Sequence, residues 1–424
     1  MFARRDLYLD KLKDKVFNGL IKIIVGPRRA GKSFLLFKIF YDYLKETGIK
    51  EENIICLALD DPKNFKYHDC DLLYEFITSK IVNKDEKYFL LLDEAQFAIN
   101  ESEVKHKLPI KLYGILNSLL NLRNVDVYVT GSNSKFLSSD IQTEFRGRGD
   151  VINVFPLSFK EFYSAQEKTI DKFEAWREYV LYGGMPQLLT LKKPEDKANY
   201  LKSLFTSIYV KDITERYHLK GDVVLDDLIN VLASDIGSLT NPTKITNTFN
   251  SNGIKTTNKT IQTYIEYLTD SFLIGKAKRF DVKGRKYINS TSKYYFTDIG
   301  LRNSRLNFRQ TEITHILENI IYNELLRLGL NVDVGAIEYR SNEKQKQLEI
   351  DFVCTRSSDK YYIQSAFTLI DPKKRNQEIL PFQLVKDSFK KIIITNDFQL
   401  PFKDEFGYLQ INIVDFLLNP EIIL

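Results

Sequence analysis

The sequence has few of the residues that build disulfide frameworks and zinc sites. Its 424 residues include three cysteines and four histidines, all widely scattered, and neither set has the spacing of a disulfide scaffold or a zinc-binding motif. No apolar run approaches the roughly 20 residues that a membrane-spanning helix needs. The charged start has no secretory hydrophobic segment. These features exclude secreted, membrane and zinc-enzyme classes, and we expect a cytoplasmic protein of several domains.

Four stretches with different apolar patterns follow one another along the chain. Short, nearly continuous apolar runs alternate with helical segments from residue 20 to about 160, which is typical of a parallel sheet covered on both faces. The second stretch is helical, the third combines short helices with a basic hairpin, and the last places a helix before several strands. We therefore predict an α/β fold with a core, a helical lid and two further domains, at residues 1–157, 158–220, 221–305 and 306–424.

A glycine-containing segment between the first predicted strand and its helix matches a phosphate-binding motif. It reads Gly-Pro-Arg-Arg-Ala-Gly-Lys-Ser and fits GxxxxGK[ST] at every position. Glycines let backbone N–H groups curl around phosphate oxygens, the lysine reaches the β- and γ-phosphates, and the serine hydroxyl coordinates Mg²⁺. An ordinary strand-to-helix loop is the alternative, but the flanking pattern favours a site for ATP and Mg²⁺. The predicted nucleotide-binding residues are Gly26, Pro27, Arg28, Arg29, Ala30, Gly31, Lys32, Ser33 and Phe34.

Two carboxylates end another apolar strand, at residues 88–92. Asp93 follows this strand directly and therefore lies at the carboxyl edge of the predicted sheet, beside the phosphate loop. There Asp93 is predicted to hold Mg²⁺ together with Ser33, and Glu94 is predicted to polarise an attacking water. A strand that runs into an acidic helix start would give the same pattern. With the loop upstream, however, the pair predicts hydrolysis as well as binding.

Two further segments contribute candidate residues. A strand that ends at Thr130 continues into Gly-Ser-Asn-Ser, where Asn133 or Ser132 is predicted to sense the γ-phosphate; ordinary turn chemistry explains these residues equally well. Downstream, Phe-Arg-Gly-Arg-Gly places Arg146 and Arg148 in a glycine-loosened loop. An arginine of this loop that reaches the γ-phosphate in a neighbouring subunit would stabilise the charge of the transition state. A solvated surface arginine is the alternative.

These motifs resemble those of a family of prokaryotic AAA-type ATPases of uncharacterised role. The resemblance rests on GPRRAGKS, LLLDE, TGSNS, GRGDVINVFPLSFKEF and YGGMPQ, and it extends more loosely over the rest of the chain. It implies an ATPase core followed by a winged-helix region and a nuclease-like C-terminal domain. It also implies that an arginine at the position of Arg148 acts between subunits. We accordingly expect a homo-oligomer, with a hexameric ring as one form.

Basic residues are concentrated in the third stretch of the chain. Three predicted helices lead into a hairpin, which is the order of elements in a winged helix. From residue 276 to 293, seven Lys or Arg residues stand against one Asp, a balance of +6 that exceeds the +5 of the whole chain. Cations interleaved with aromatic residues are typical of a nucleic-acid surface, and a solvated hairpin that protects a sheet edge is the alternative. The predicted DNA-binding residues are Lys259, Lys278, Arg279, Lys283, Arg285 and Lys286.

The last stretch resembles the PD-(D/E)XK nuclease fold in the order of its elements. Such enzymes use a helical Glu, a strand Asp and an acid-x-Lys on the next strand to hold Mg²⁺ and activate water. Glu318 and Asp351 fit this pattern, but Gln364 and Ala366 stand in place of the last pair. We therefore predict a vestigial site at Glu318, Asp351 and Gln364 that does not cleave, unless a displaced lysine such as Lys374 restores it.

The sequence as a whole predicts a Mg²⁺-dependent AAA-type ATPase that binds duplex or branched DNA and remodels it or moves along it. One alternative is a slow nucleotide-dependent switch or regulator that acts through the winged helix, and another is an ATP-regulated nuclease. Turnover stimulated by non-specific DNA favours the ATPase. Slow turnover with one preferred sequence favours the switch, and cleavage that depends on Asp351 would establish the nuclease.

Overall fold

The computed structural model describes residues 2–106, 108–132, 147–166, 170–219, 223–309, 312–341 and 344–424. Contacts along the chain divide it into two compact units. The first contains residues 2–156 together with 270–272, and the second contains residues 157–269 and 273–424. In the described ranges every helix is too short or too polar to cross a bilayer.

A parallel sheet forms the centre of the first unit. Its strands lie in the order β2-β3-β4-β1-β5, and every neighbouring pair is parallel. All residues of β1, β3 and β4 are buried, as expected for a sheet with both faces covered. This confirms the α/β core that the alternating apolar runs predict. The strands are β1 (Ile21–Val25), β2 (Ile54–Ala58), β3 (Tyr88–Asp93), β4 (Val125–Gly131) and β5 (Gly149–Asn153).

Two apolar layers cover the two faces of this sheet, because successive strand residues point to opposite sides. Ile23 and Val25 pack in the layer that includes α4 and α6, whereas Ile24 packs in the layer that includes α1 and the helix after the glycine-rich loop. The helices are α1 (Asp6–Lys13), α2 (Lys32–Phe34), continued by a π-helical segment (Leu35–Phe40) and α3 (Tyr41–Glu46), then α4 (Cys70–Lys80), α5 (Glu101–Lys105) and α6 (Lys111–Leu120).

Helices make up the first part of the second unit. One of them begins with an Asn-Pro pair: the Asn241 side chain accepts a hydrogen bond from the Lys244 backbone N–H at 2.7 Å, and Pro242 opens the helix. The helices of this unit are α7 (Phe159–Ser164), α8 (Lys172–Tyr182), α9 (Pro194–Leu204), α10 (Lys211–Arg216), α11 (Val223–Ser234), α12 (Pro242–Ser251), α13 (Asn258–Asp270), α14 (Ile299–Arg305), α15 (Ile313–Arg327), α16 (Pro372–Leu384) and α17 (Ile413–Leu418).

One mixed sheet spans the second unit, in the order β12-β13-β11-β10-β9-β8-β6-β7. The predicted basic hairpin is its β6–β7 end, and β6 pairs in parallel with β8 through residues 279–281 and 334–336. The strands are β6 (Ile274–Asp281), β7 (Lys286–Phe296), β8 (Asn331–Ser341), β9 (Lys344–Arg356), β10 (Asp359–Ala366), β11 (Lys390–Thr395), β12 (Phe402–Lys403) and β13 (Leu409–Asn412).

This sheet bears on the predicted domain organisation. The sequence predicts four domains, whereas the contacts divide the chain into two units and join the predicted lid, winged helix and nuclease-like stretches in one of them. The β6–β8 pairing crosses the predicted boundary between residues 305 and 306. In the hairpin β6 pairs with β7 along one edge only, and β8 forms hydrogen bonds with its other edge. The three smaller domains therefore stay predictions about parts of a single compact unit.

Candidate functional site

The glycine-rich loop leaves the buried end of β1 and enters α2 with a sharply curled backbone. A Cβ atom on Gly26 would lie 2.0 Å from the backbone carbonyl oxygen of Val154, so only glycine fits where the chain passes β5. Gly31, directly before α2, has φ of 91°, and Arg29 has φ of 61°, both in the left-handed region. The backbone therefore adopts the curl that the phosphate-binding motif predicts.

Lys32 lies inside this loop. Its side chain is only 3% exposed, and Nζ donates hydrogen bonds to the carbonyl oxygens of Gly26 and Pro27, both at 2.9 Å. Burial lowers the pKa of Lys32 to about 8, although the charges of Glu94 and Asp93 oppose that shift. The direct partners of the ammonium group are neutral carbonyls. An anion bound in the loop would therefore gain a strong, charge-assisted partner.

Asp93 ends β3 at the same edge of the sheet and faces the loop. The Ser33 side chain hydrogen-bonds to Asp93, and Thr130 Oγ1 donates to Asp93 Oδ1. Burial is the main reason that the pKa of Asp93 is raised above its ordinary value. Mg²⁺ prefers oxygen ligands and is usually held by one or two carboxylates and the phosphates of its nucleotide. The adjacent oxygens of Ser33 and Asp93 therefore fit a Mg²⁺–nucleotide complex.

Glu94 follows Asp93 with a left-handed backbone, at φ 49° and ψ 48°. Its backbone N–H donates to Thr130 Oγ1 at 2.9 Å, so that one threonine hydroxyl joins both carboxylate residues. Glu94 Oε2 accepts hydrogen bonds from Ser132 Oγ at 3.0 Å and from the Gln96 amide. The Glu94 carboxylate is thereby oriented by its neighbours on β4 and on the turn after β3.

The remaining residues predicted for the first unit have different positions. Asn133 and Arg146 lie outside the described residues. Asp61 follows β2, where the sequence fits either a residue that borders the site or the start of a turn before proline; it accepts a hydrogen bond from the Lys63 backbone N–H at 3.0 Å and caps the short helix that follows. Arg148 is exposed and precedes β5, at the amino edge of the sheet. Since the loop leaves the opposite end of the five-residue strand β1, about 17 Å of extended chain separates these two edges.

Sequence reasoning missed two side chains of this site. Thr130 bridges Asp93 and Glu94, and Gln96 donates to Glu94. Thr130 is the last polar residue of β4, the strand beside β3, and that position at the strand end is the signal that would have identified it. No comparable pattern marks Gln96.

The predicted basic residues of the second unit are mostly exposed. Arg279 is only half-buried, and Lys283 Nζ donates to the carbonyl oxygen of Glu338 at 3.0 Å. Lys293, which the sequence counts in the same basic stretch, is buried and pairs with carboxylates. The exposed members of the predicted set are Lys259, Lys278, Lys283, Arg285 and Lys286.

The three residues of the predicted vestigial nuclease site do come together. Glu318 and Asp351 both lie beside Lys293, with Nζ–oxygen distances of 2.7 and 3.6 Å. The Gln364 side-chain oxygen accepts a hydrogen bond from the Asp351 backbone N–H at 3.0 Å. Lys374 instead pairs with Glu378 at 2.8 Å and is 48% exposed. Sequence reasoning missed Lys293 and Glu349, although the alternate spacing of Glu349 and Asp351 places them on one face of β9.

Comparison with known proteins identifies an AAA domain and two uncharacterised relatives. Residues 18–163 match a family model described as an AAA domain, and residues 173–312 match one described as a domain of unknown function. An uncharacterized protein of Haemophilus influenzae is 34% identical over 423 residues, which cover 98% of each chain. An uncharacterized protein of Methanocaldococcus jannaschii is 29% identical over 407 residues, which cover 90% of this chain and 84% of that protein.

A solved structure supports the fold. The Walker-type ATPase of Pyrococcus abyssi is similar with a TM-score of 0.51 at 15% sequence identity, and the match covers 72% of this chain and 96% of that chain. At this level of identity the likeness concerns the fold alone. With the AAA domain model, it shows that the first unit has an AAA-type P-loop ATPase fold.

Proposed function

We propose that this chain, which belongs to one family with the Haemophilus influenzae protein and contains an AAA domain, binds ATP with Mg²⁺ and hydrolyses it. One observation carries the proposal: a buried lysine in a curled glycine loop faces a Ser–Asp–Thr hydrogen-bond network at the same edge of a parallel sheet. That arrangement combines a cation for the phosphates with oxygen ligands for the metal.

Each residue of the network has a distinct role in this proposal. Lys32 exchanges its carbonyl partners for the β- and γ-phosphates, which restore a full counter-charge to the buried ammonium. Ser33 and Asp93 hold Mg²⁺, which when bound neutralises charge on the phosphates. Glu94 orients and polarises the attacking water, and Ser132 and Gln96 fix the carboxylate that does so.

A substitution at Glu94 tests hydrolysis separately from binding. Glu94→Gln keeps the shape of the side chain but removes its charge, so nucleotide affinity should stay close to that of the parent while turnover falls at least about 100-fold. Asp61→Asn is a matched control, because this carboxylate at the same end of the sheet only caps a turn. Normal turnover of Glu94→Gln in a phosphate-release assay would remove Glu94 from the mechanism.

The position of Arg148 supports action between subunits. It lies at the amino edge of the sheet, a strand length away from its own loop, so it does not serve its own site. A neighbouring copy that presents this edge to the loop would place the guanidinium near the γ-phosphate, where an arginine is worth orders of magnitude in rate. We therefore include a homo-oligomer in the proposal.

Mixing inactive subunits tests this arrangement. Arg148→Ala and Lys32→Ala proteins should each be inactive alone and recover part of the turnover when mixed, because some interfaces then combine an intact loop with an intact arginine. Arg123→Ala, an exposed arginine at the same edge, is the control and should keep full activity. Mixtures that stay inactive, although light scattering shows mixed oligomers, would exclude action in trans.

Binding of DNA through the basic hairpin is the second part of the proposal. Three helices, α11 to α13, precede the hairpin, and Thr240 forms a two-bond bridge with Ser292 of β7 at 3.0 and 2.9 Å. This isolated bridge, between the first two helices and a strand of the hairpin, supports a winged helix. The exposed cations at the hairpin turn supply the charge that phosphates require.

The salt dependence of DNA affinity tests the hairpin directly. Replacing Lys283, Arg285 and Lys286 with alanine should weaken binding and flatten the log–log salt slope by about 3 if all three contact phosphates. A control that removes the same charge from exposed lysines elsewhere in this unit, Lys373, Lys374 and Lys386, should leave the slope unchanged. An unchanged slope in the hairpin variant would exclude the hairpin from the interface.

A further inference from the structure

A buried ammonium group lies at the centre of three carboxylates in the second unit. Lys293 Nζ is 2.7 Å from Glu318 Oε1, 2.6 Å from Glu349 Oε1 and 3.6 Å from Asp351 Oδ1. The Lys293 side chain is 4% exposed. The carboxylates come from α15 and β9, whereas the lysine comes from β7 of the hairpin. We call these four residues the acid cluster.

Further groups contact two carboxylates of the acid cluster. Tyr295 donates its hydroxyl hydrogen to Glu318 Oε1 at 2.6 Å, and the Ser365 backbone N–H donates to Asp351 Oδ2 at 2.9 Å. The second Glu318 oxygen, Oε2, lies close to Gly237: a Cβ atom added to this glycine would be only 3.0 Å from that oxygen. These contacts leave little freedom for Glu318 and Asp351 to turn toward a metal ion.

Gln364 is also engaged with the protein. Its side-chain oxygen accepts from the Asp351 backbone N–H at 3.0 Å, and its amide nitrogen donates to Glu378 Oε2 at 2.9 Å. In the described residues, no group of three or more His, Cys, Asp or Glu side chains is arranged to hold a metal ion. Glu318 Oε1, both Asp351 carboxylate oxygens and the Gln364 oxygen therefore contact protein groups instead of a metal ion.

The charges of the cluster keep the lysine protonated. Burial by itself lowers the pKa of Lys293, but the charges of Glu318, Asp351 and Glu349 raise it above its ordinary value. Breaking such a buried pair leaves an uncompensated charge, which is strongly unfavourable. The ammonium is thus a permanent positive charge among carboxylates that would otherwise repel one another.

We propose that Lys293 takes the place of a divalent cation in this nuclease-like acid cluster and fastens the hairpin strand β7 to α15 and β9. The acid-x-Lys pattern would place its lysine at the position of Ala366 on β10. Here Lys293 supplies the positive charge instead, from β7. It fills the space between the carboxylates, so the cluster holds the sheet together without a metal and does not hydrolyse phosphodiesters.

Removing the ammonium group should convert the cluster into a metal site. We compare Lys293→Met with its parent in a Lys32→Ala background without nucleotide, so that the ATP site does not contribute, and measure Mn²⁺ binding by electron paramagnetic resonance. The parent should show no Mn²⁺ binding that depends on Asp351. The Lys293→Met protein should gain about one Mn²⁺ per chain, lose it again on additional Asp351→Asn, and melt at a higher temperature with Mn²⁺ than with a chelator.

The control and the opposing outcomes are equally specific. Lys374→Met removes an exposed lysine from the same unit and should gain no metal. Lys293→Met protein that folds but gains no Mn²⁺ would overturn the proposal. If that variant does not fold, the parent decides the question. Parent protein that binds Mn²⁺ or cleaves DNA in a manner abolished by Asp351→Asn would overturn the proposal, and parent protein that does neither supports it.

Discussion

Lys32 and Lys293 are both almost completely buried, but their partners differ. Lys32 donates to backbone carbonyls, and burial lowers its pKa to about 8. Lys293 contacts carboxylates, and their charges raise its pKa despite burial. The comparison shows that burial does not by itself mark a functional lysine. A lysine with neutral partners is ready for an anionic ligand, whereas one with carboxylate partners is already neutralised.

A third lysine sharpens this distinction within the first unit. Lys22 lies on β1, the strand that leads into the loop, and is fully buried in an ion pair with Asp126. Asp126 Oδ2 also accepts from the Tyr128 hydroxyl at 2.8 Å and from the Phe17 backbone N–H at 2.9 Å. The same short segment of chain therefore contains one lysine with an internal carboxylate partner and one without.

The largest expected effect on turnover separates Lys32 from Lys293. Lys32→Ala should reduce ATPase kcat/KM by at least about 100-fold, or roughly 3 kcal/mol of transition-state stabilisation, because the phosphates lose their buried cation. Lys293→Met should leave the ATPase rate within about twofold of the parent, because Lys293 belongs to the other unit. Phosphate release measured on both purified proteins checks the pair.

Two results would break the comparison between these lysines. Full turnover of Lys32→Ala would show that the ammonium in the loop does not serve the phosphates. A folded Lys293→Met protein without ATPase activity would show that the acid cluster is not a purely local structure. Nucleotide affinity, measured by fluorescence titration, distinguishes loss of binding from loss of chemistry in either case.

The largest expected effect on stability is at Lys22. Lys22→Met leaves Asp126 buried without its cation and should lower the free energy of unfolding by about 3–5 kcal/mol. ATP affinity of the folded protein should change little, since Lys22 lies at the amino end of β1, away from the loop. Urea denaturation, with nucleotide titration below the transition, measures both quantities.

A compensating substitution is the control for Lys22. Lys22→Met combined with Asp126→Leu removes both charges and should regain much of the lost stability, because no buried charge is then left unpaired. A Lys22→Met protein as stable as the parent would contradict the assignment of Lys22 as a structural cation. A selective loss of ATP affinity would instead place Lys22 with Lys32.

The nucleotide site is predictable from the sequence because its residues follow directly from strand ends. The loop continues β1 and Asp93 ends β3, and parallel strands bring such ends to one edge. The same rule gives the opposite position of Arg148, which precedes β5. Local sequence patterns therefore contain most of the information on this site.

The acid cluster is not predictable in the same way. Lys293 lies 25 residues before its partner Glu318, and its strand joins the sheet of Asp351 only through the β6–β8 pairing. Such pairing depends on which free edge meets which strand in three dimensions, and no local periodicity encodes it. In the sequence Lys293 is indistinguishable from the exposed lysines of the hairpin, so it is counted in the charge balance of the basic stretch, although it is not among the predicted DNA-binding residues.

The smallest expected effect concerns the pH dependence of the acid cluster. Burial raises the pKa of Glu318 from 4.5 to about 7, although Lys293 opposes the shift, while Asp351 adds to it. Between these two pKa values the folded protein binds more protons than the unfolded chain. Stability should therefore fall as pH rises from about 4.5 to about 7 and level off above that range, by up to about 1.4 kcal/mol per pH unit.

Glu318→Gln removes this titration but keeps an oxygen that accepts from Lys293 and Tyr295. The melting temperature of the variant should therefore rise relative to that of the parent from pH 5 to pH 7. Above pH 7 the difference between the two melting temperatures should stay constant. Asp298, whose pKa burial raises to about 6, titrates in both proteins and cancels in the difference. If the melting temperatures of the two proteins change in parallel between pH 5 and pH 7, Glu318 is ionised throughout this range. The effect of the Lys293 ammonium on the pKa of Glu318 would then fully offset the effect of burial.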